Sequence, residues 1–408
     1  MSAKETFRRI FLGNAALLAA LLLVIEITGQ AWAWFHPSYE VLWLYPDRTV
    51  GWKIAPNEKW LWAGHDLYAR EFSVPAESNA LGFRDREHAI EKPAGTVRVA
   101  LLGDSFVEAL QVPFEKTAGA LLEKKLNQSA NEPVRYEVLN FGVSSYAVGQ
   151  YLLAWEEYAF RFSPDYVFVF LFKRPFERTV TRYETGAFPR TRNKELWIRP
   201  TFRLEEGKLI REPARDYAEF KAIHEELLRK EFGGKGIMRR RHGFFLAPYA
   251  GDLRAICVRI IQSLRGGLKG RRSPDAGVPS GVRASASFGV LPRNDLRAIT
   301  AEKPLDEGLV PINLKVIEVL NQEVRARGGK LILVDIFPYL NPELGAISDR
   351  LKSLAENQGI GYVPLGEHLI EAERGGLRVR WRHDPHFNET GNEISAGAME
   401  EWLRHVEI

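Results

Sequence analysis

Apolar positions along the chain fall into three patterns. An unbroken run from Ile10 to Ile25, interrupted only by Asn14, offers no polar face at helical spacing, so it predicts a helix with no side turned to water. Further on, short apolar runs at 97–102, 136–139, 166–172, 330–336 and 361–364 predict strands buried on both faces. Between them, apolar residues recur at helical spacing over 106–126, 147–160, 311–327 and 351–358, and a last helix is expected from about Gly391 to the end. Strand and helix alternate. That order predicts a three-layer α/β/α sandwich around a doubly wound, flavodoxin-like parallel sheet, with its ligand site beyond the carboxyl ends of the strands.

Two stretches do not follow the alternation. Residues 37–95 are rich in Trp, Pro and charge without sustained period, and read as an extended stem whose short strands pack on the main domain. Residues 176–300 form a large basic, Gly-rich insertion that includes Arg239-Arg240-Arg241 and Lys269-Gly270-Arg271-Arg272. It reads as a solvated loop with helical pieces at 218–230 and 252–264; a surface that touches anionic lipid or polysaccharide is the alternative. The α/β body is then 96–175 together with 301–408.

The apolar run at the start predicts a transmembrane helix over 10–31. Lys4, Arg8 and Arg9 precede it, Trp32 and Trp34 mark its far end, and Arg48 is the one basic residue in the following twenty or so positions. This asymmetry keeps residues 1–9 in the cytoplasm and sends the body to the other side. The alternative is a cleaved signal peptide, with Ala31-Trp32-Ala33 as the small-x-small site and Trp34 as the new terminus.

Composition narrows the function without naming it. The 408 residues are 45% hydrophobic and 26% charged, and 56 basic against 52 acidic residues leave a net charge of +4. That is too small a surplus over this length to suggest a nucleic-acid partner. One cysteine, Cys257, excludes an intramolecular disulfide, a Cys-based metal centre and a dithiol redox pair.

Chemistry is concentrated at two places. Gly103-Asp104-Ser105-Phe106 ends the first strand and opens a helix, which exposes a serine hydroxyl at the site face and puts its backbone N–H at a positive helix terminus. Ser105-x-x-Glu108 also has capping-box spacing, so a purely structural cap is the competing reading. Near the carboxyl terminus, Asp384-Pro385-His386 places a carboxylate two residues from an imidazole, close enough to hold the tautomer whose Nε2 faces a serine. Without the serine, the pair is a structural hydrogen bond, or His383, Asp384 and His386 are metal ligands.

With these residues in view, the sequence resembles the SGNH hydrolase superfamily, also called GDSL esterases and lipases, in its membrane-anchored bacterial form. The resemblance rests on Gly103-Asp104-Ser105, Asn140-Phe141-Gly142 and Asp384-x-His386, in that order, and on Asn79-Ala80-Leu81-Gly82-Phe83-Arg84-Asp85 in the stem. It implies Ser105 as nucleophile, His386 as general base, Asp384 as its orienting carboxylate, and the Ser105 and Gly142 amides as oxyanion donors. One block departs from the pattern. Where the superfamily places an oxyanion Asn after the third strand, this chain reads Phe172-Lys173-Arg174-Pro175-Phe176. Either Lys173 or Arg174 substitutes, with Arg174 able to act as a charged donor, or Asn140 does, or the site is weak or inactive.

The function expected from this pattern is a serine esterase or acyltransferase anchored in a bacterial inner membrane. Its catalytic domain would lie in the periplasm or elsewhere outside the cytoplasm and act on acyl esters, most simply acetyl, of envelope or exopolysaccharide carbohydrate. No cofactor is implied. The alternative is an SGNH-fold module that binds glycan without turning it over, and a lipase acting on membrane lipid is the weaker third reading because no amphipathic lid is visible.

Overall fold

A computed structural model describes residues 3–35, 39–64, 71–129, 134–184, 197–214, 217–234, 236–240 and 305–407. The chain divides into two units, the first formed by residues 1–40 with 240–290 and the second by 41–239 with 291–408. Within the first unit, helix α1 (Ala3–Phe35) contains a stretch, Leu12–Trp32, long and apolar enough to cross a membrane. Leu17, Leu18, Leu21, Leu23 and Ile27 are exposed along it, and Gln30 donates to Glu26 one turn earlier at 2.7 Å.

The second unit is built on a five-stranded parallel sheet. Its strands are β1 (Thr96–Leu102), β2 (Arg135–Asn140), β3 (Tyr166–Leu171), β4 (Lys330–Asp335) and β5 (Gly361–Val363), in spatial order β5-β4-β3-β1-β2. Val99 pairs with Val138 on β2 and with Tyr166 on β3, while Phe168 pairs with Ile332 on β4. Val99, Leu101, Phe168, Phe170, Ile332 and Val334 point to one face, where α3 (Ala118–Ser129), α10 (Leu365–Arg374) and α11 (Glu389–Glu407) cover them. The intervening Ala100, Leu102, Val167, Val169, Leu331 and Leu333 are equally buried under α4 (Val148–Glu157), α7 (Leu309–Ala326) and α9 (Gly345–Gln358). Both faces are dry, which is why the strands read as apolar runs and not as alternating ones. Three layers result. The strand order reverses direction between β1 and β3, so the ends of those two strands open the crevice in which ligands of such sheets bind.

The helix expected over 106–126 is interrupted. It stops after one turn, α2 (Ser105–Glu108), with Ala109 at φ 51°; a 3₁₀ turn at Phe114–Lys116 follows, and α3 starts only at Ala118. Pro113 has no N–H to donate and keeps the residue before it out of helical geometry, so the periodicity across it belongs to two helices. The carbonyls freed at the break are taken by the Arg84 guanidinium, which donates to Glu108 O at 3.0 Å, to Ala109 O and to Val112 O at 2.6 Å. The helix expected over 147–160 likewise ends at Glu157 and passes into a 3₁₀ turn, Ala159–Phe162.

Residues 41–64 and 71–95 contribute two antiparallel strand pairs and a turn to the second unit. Leu44–Asp47 pairs with Gly51–Ile54, and Lys59–Ala63 with Ser73–Glu77. The turn after them is folded around Asn79, whose Oδ1 accepts from Leu81 N–H and Phe83 N–H at 3.1 and 3.0 Å. Gly82 has φ 80° there and sits against the Ile54 carbonyl, so only glycine fits. Within 176–300 the structure contains the hairpin Thr201–Glu205 with Lys208–Glu212 and helix α6 (Tyr217–Glu231), at the place where 218–230 predicts one. The helix expected at 252–264, the basic cluster 269–272 and Cys257 lie outside the described residues.

Arg98 on β1 closes the amino-terminal side of this unit. It is fully buried, pairs with Glu137 at 2.9 Å, and donates to the carbonyls of Ala89 (2.6 Å), Ile90 (2.9 Å), Glu91 (3.2 Å) and Phe162 (2.9 Å). Arg98→Met would leave several buried carbonyls without their donor and take from the buried Glu137 carboxylate its nearer cation, Arg135 at 3.7 Å being the other. It is expected to lower stability by about 3–5 kcal/mol in urea denaturation, a loss that a surface change such as Arg404→Met would not produce.

Candidate active site

The strand β1 runs directly into Gly103-Asp104-Ser105. Asp104, not Ser105, is the N-cap of α2: its Oδ1 accepts from Phe106 N–H at 3.1 Å. The capping reading of Ser105 is therefore corrected, because the preceding carboxylate already serves the orphan amide. Glu108 does not complete a capping box either, since its carboxylate is turned inward to other partners. Ser105 occupies the first helical position with its hydroxyl not used in capping, and Ser105 Oγ lies 2.8 Å from His386 Nε2.

The other side of that contact comes from the far end of the chain. His386 Nδ1 is 2.6 Å from Asp384 Oδ1, which also accepts the His386 backbone N–H at 2.9 Å. The carboxylate assigns the proton to Nδ1 and leaves Nε2 to accept from the serine hydroxyl. The loop carrying the pair is tied from several directions. Arg380 and Phe387 form an isolated antiparallel bridge, Asn388 N–H donates to Val379 O at 3.0 Å, and Asn388 Nδ2 to Arg378 O at 2.8 Å. Glu71 accepts from the backbone N–H groups of Arg382 and His383 at 2.8 and 2.7 Å. Phe106, next to the serine, packs on His386, Phe387 and Phe172 with ring centroids 5.2, 4.7 and 5.0 Å apart. His383 is tied to Glu71 through its backbone N–H. Among the described residues no group of three His, Cys, Asp or Glu side chains is arranged to hold a metal ion.

The residues expected to hold an oxyanion fare differently from one another. Among the described residues nothing accepts from the Ser105 backbone N–H, which remains an open donor at the start of α2. Gly142 follows β2 and touches α2 so closely that a Cβ there would lie 2.6 Å from Glu108 N and from Val107 Cβ. Its N–H, however, already donates to Asn140 Oδ1 at 2.8 Å. Asn140 is equally engaged, with Nδ2 on Val107 O at 2.9 Å, so it closes its own turn and fixes that turn to α2. Helix α5 (Lys173–Arg178) starts where the superfamily's third block would stand. Arg174 is exposed on it, whereas Lys173 is 1% exposed with Nζ 3.7 Å from Glu177. The cation of this helix that reaches the serine turn is Arg178, whose Nη1 is 3.2 Å from Asp104 Oδ2. Sequence reading stopped at Phe176 and missed it, although it lies one helical turn beyond Arg174.

Spacing offered Glu108 only as a capping partner, and the structure gives it different ones. It is fully buried, and its Oε2 accepts from Ser144 N–H at 2.6 Å and from the Ser144 hydroxyl, while Oε1 accepts from Trp43 Nε1 at 3.1 Å. Burial pushes its pKa from 4.5 up to about 7, against the opposing pull of the Ser144 and Trp43 hydrogen bonds and the Arg84 charge. Asp104 is also raised by burial, with Arg178 acting in the other direction. For His386, burial alone would lower the pKa. The charge and hydrogen bond of Asp384, joined by the more distant Asp104 and Glu108, outweigh it and leave the imidazole above its ordinary 6.5.

No family model matches the chain, and no curated protein matches it in sequence. Solved structures do. A lipolytic protein of the G-D-S-L family from Desulfitobacterium hafniense DCB-2 aligns at 11% identity and TM-score 0.37, over 75% of this chain and 99% of its own. Axe2, an acetylxylan esterase from Geobacillus stearothermophilus, aligns at 12% identity and TM-score 0.37, over 75% and 94%. LAE5, an α/β hydrolase from the metagenome of Lake Arreo, Spain, aligns at 12% identity and TM-score 0.38, over 76% and 95%.

Proposed function

We propose that the protein is an SGNH-type serine esterase or acyltransferase whose nucleophile is Ser105. The observation that carries this reading is the continuous hydrogen-bonded chain from Ser105 Oγ through His386 to Asp384, at 2.8 and 2.6 Å. A hydroxyl at a helix start, an imidazole with a free Nε2 and a carboxylate on its other nitrogen are the groups that acyl transfer requires.

In this reading His386 Nε2 takes the Ser105 proton as Oγ attacks the ester carbonyl carbon. The tetrahedral oxyanion is met by the Ser105 backbone N–H at the positive end of α2. His386 then returns the proton to the leaving alkoxide, which leaves an acyl group on Ser105 Oγ. Water or a second hydroxyl, deprotonated in turn by His386, releases it. The first outcome is hydrolysis and the second transfer. Asp384 stabilises the imidazolium in both steps without being protonated itself.

The substrate class proposed is an acyl ester of carbohydrate, acetyl being the smallest. Helix α1 would hold the body at a bacterial inner membrane, with residues 1–9 in the cytoplasm and the site in the periplasm, because the basic residues flank its start and aromatic ones its end. Residues 37–95 and 176–300 are then stem and insertion around the hydrolase core of 96–175 and 301–408. The absence of an Asn within 172–176 favours one other reading, a glycan-binding module with the same fold.

A fluorophosphonate probe separates the two. Ser105 is expected to be labelled in the wild type, and Ser105→Ala and His386→Ala to lose ester turnover by about a thousandfold or more; an unlabelled Ser105 establishes the binding module instead. Asp384→Asn is expected to lose about a hundredfold or more and to move the acidic limb of the pH profile downward, because removing the carboxylate's charge takes away what raises His386. Short-chain esters should be turned over faster than long-chain ones, and the reverse preference would point to lipid.

A further inference from the structure

We propose that Glu108 is a positioning residue for acyl transfer, holding the loop after β2 in register with the nucleophile. The proposal rests on the reading of Ser105 as nucleophile. Three chain segments meet on this one carboxylate. It stands at the last position of the single-turn helix that Ser105 begins, grips Ser144 of the 141–147 loop by both N–H and hydroxyl, and accepts from Trp43 just ahead of the first hairpin. The loop it grips also touches the serine turn through Val143 N–H on Gly103 O at 3.3 Å, and Gly142 leaves no room for a side chain between loop and helix. Trp52 donates from its Nε1 to Ser144 O at 3.1 Å, so Ser144 is clamped on its donors by Glu108 and on its carbonyl by Trp52. Release of the Glu108 grip would let the loop slide along α2, whose amide end is where the oxyanion forms.

The grip depends on ionisation. A carboxylate has acceptor sites enough for all three donors. Once protonated, one oxygen becomes a donor, and the Ser144 hydroxyl must turn round to accept from it. The titratable and charged groups that act on Glu108 are Arg84, which donates to Glu108's own carbonyl at 3.0 Å, His386 from the carboxyl-terminal loop, and the Tyr146 phenol of the gripped loop, which burial keeps protonated. Trp43 and Ser144 are uncharged. Burial brings the ionisation of Glu108 to about 7, and the carboxylates around His386 raise its pKa above the ordinary value. Two deprotonations, one on each group, then precede full activity.

The test is the rate of covalent labelling of Ser105 by a fluorophosphonate, followed by mass spectrometry on the full-length protein in detergent from roughly pH 5 to 9. In the wild type the logarithm of the rate should climb with a slope approaching two on the acidic limb. Glu108→Gln should leave a slope of one, with a maximal labelling rate lower by about tenfold and the probe's half-saturating concentration unchanged. Ser144→Ala removes a hydrogen bond that favours the carboxylate, so its limb should keep two ionisations with one moved to higher pH. A purely structural role would lower the rate without altering the slope. A wild-type slope of one, unchanged in Glu108→Gln, overturns the proposal while leaving the serine reading intact. Failure to label Ser105 at any pH overturns both.

Thermal unfolding supplies a measure independent of activity. The folded-state pKa is raised, so the contribution of Glu108 to stability is full below 4.5 and is lost as pH rises towards about 7. The melting temperature of the wild type should therefore fall relative to that of Glu108→Gln across this window. A constant difference between the two proteins would overturn the ionisation on which the switch depends.

Discussion

A single buried guanidinium makes the geometry of the serine turn possible. Helix α2 must end after one turn, because Ala109 takes a left-handed conformation and Pro113 cannot continue a helix, and the break lies in the protein interior. Carbonyls left open there would each be a desolvated acceptor without a partner, at a cost of about 1–3 kcal/mol apiece. Arg84 answers several of them at once with one planar fork, and it is 1% exposed. Burial lowers its pKa to about 10 against the attraction of Glu108 and Glu115, which leaves it charged at neutral pH. Because Arg84 belongs to the Asn79 turn and Asp85 beside it accepts from Asn140 N–H at 2.7 Å, the segment before the sheet sets both the serine turn and the loop after β2.

The second constraint is electrostatic. Asp104, Glu108 and Asp384 all act on His386 to raise its pKa, while burial opposes the charges of Asp104, Glu108 and His386 itself. The carboxylates are tolerated because each has its own donors: Phe106 N–H and Arg178 for Asp104, Ser144 and Trp43 for Glu108, and the His386 ring and backbone for Asp384. Arg178 is also the charged side chain that α5 brings to the serine turn. A helix carrying Lys173, Arg174 and Arg178 after β3 therefore delivers one cation to Asp104, keeps one against Glu177 and exposes the third.

Much of this was legible in the sequence because it depends on short-range rules. The apolar runs of β1 to β5 can be buried on both faces only in a parallel sheet covered by helices, and the alternation of the intervening segments supplied those helices. The serine after the first strand and the Asp384-x-His386 pair were equally visible, since two residues of separation is enough to bring a carboxylate to its imidazole. The break in the 106–126 helix was legible in principle from Pro113. Periodicity, which ignores the missing N–H, ran across it.

What the sequence by itself determined is the order of the elements, the apolar character of α1 and the local pairing of Asp384 with His386, because each follows from neighbours along the chain. Only the tertiary structure decided which distant groups meet. It set Ser105 against His386, 281 positions away, gave Arg84 the carbonyls of the broken helix, turned Glu108 from a helix cap into a clamp on Ser144, and engaged the Gly142 amide with Asn140. The physical reason is that a buried polar group takes whatever partner the packing of the sheet and its helices places within about 3 Å, and no spacing along the chain records that distance.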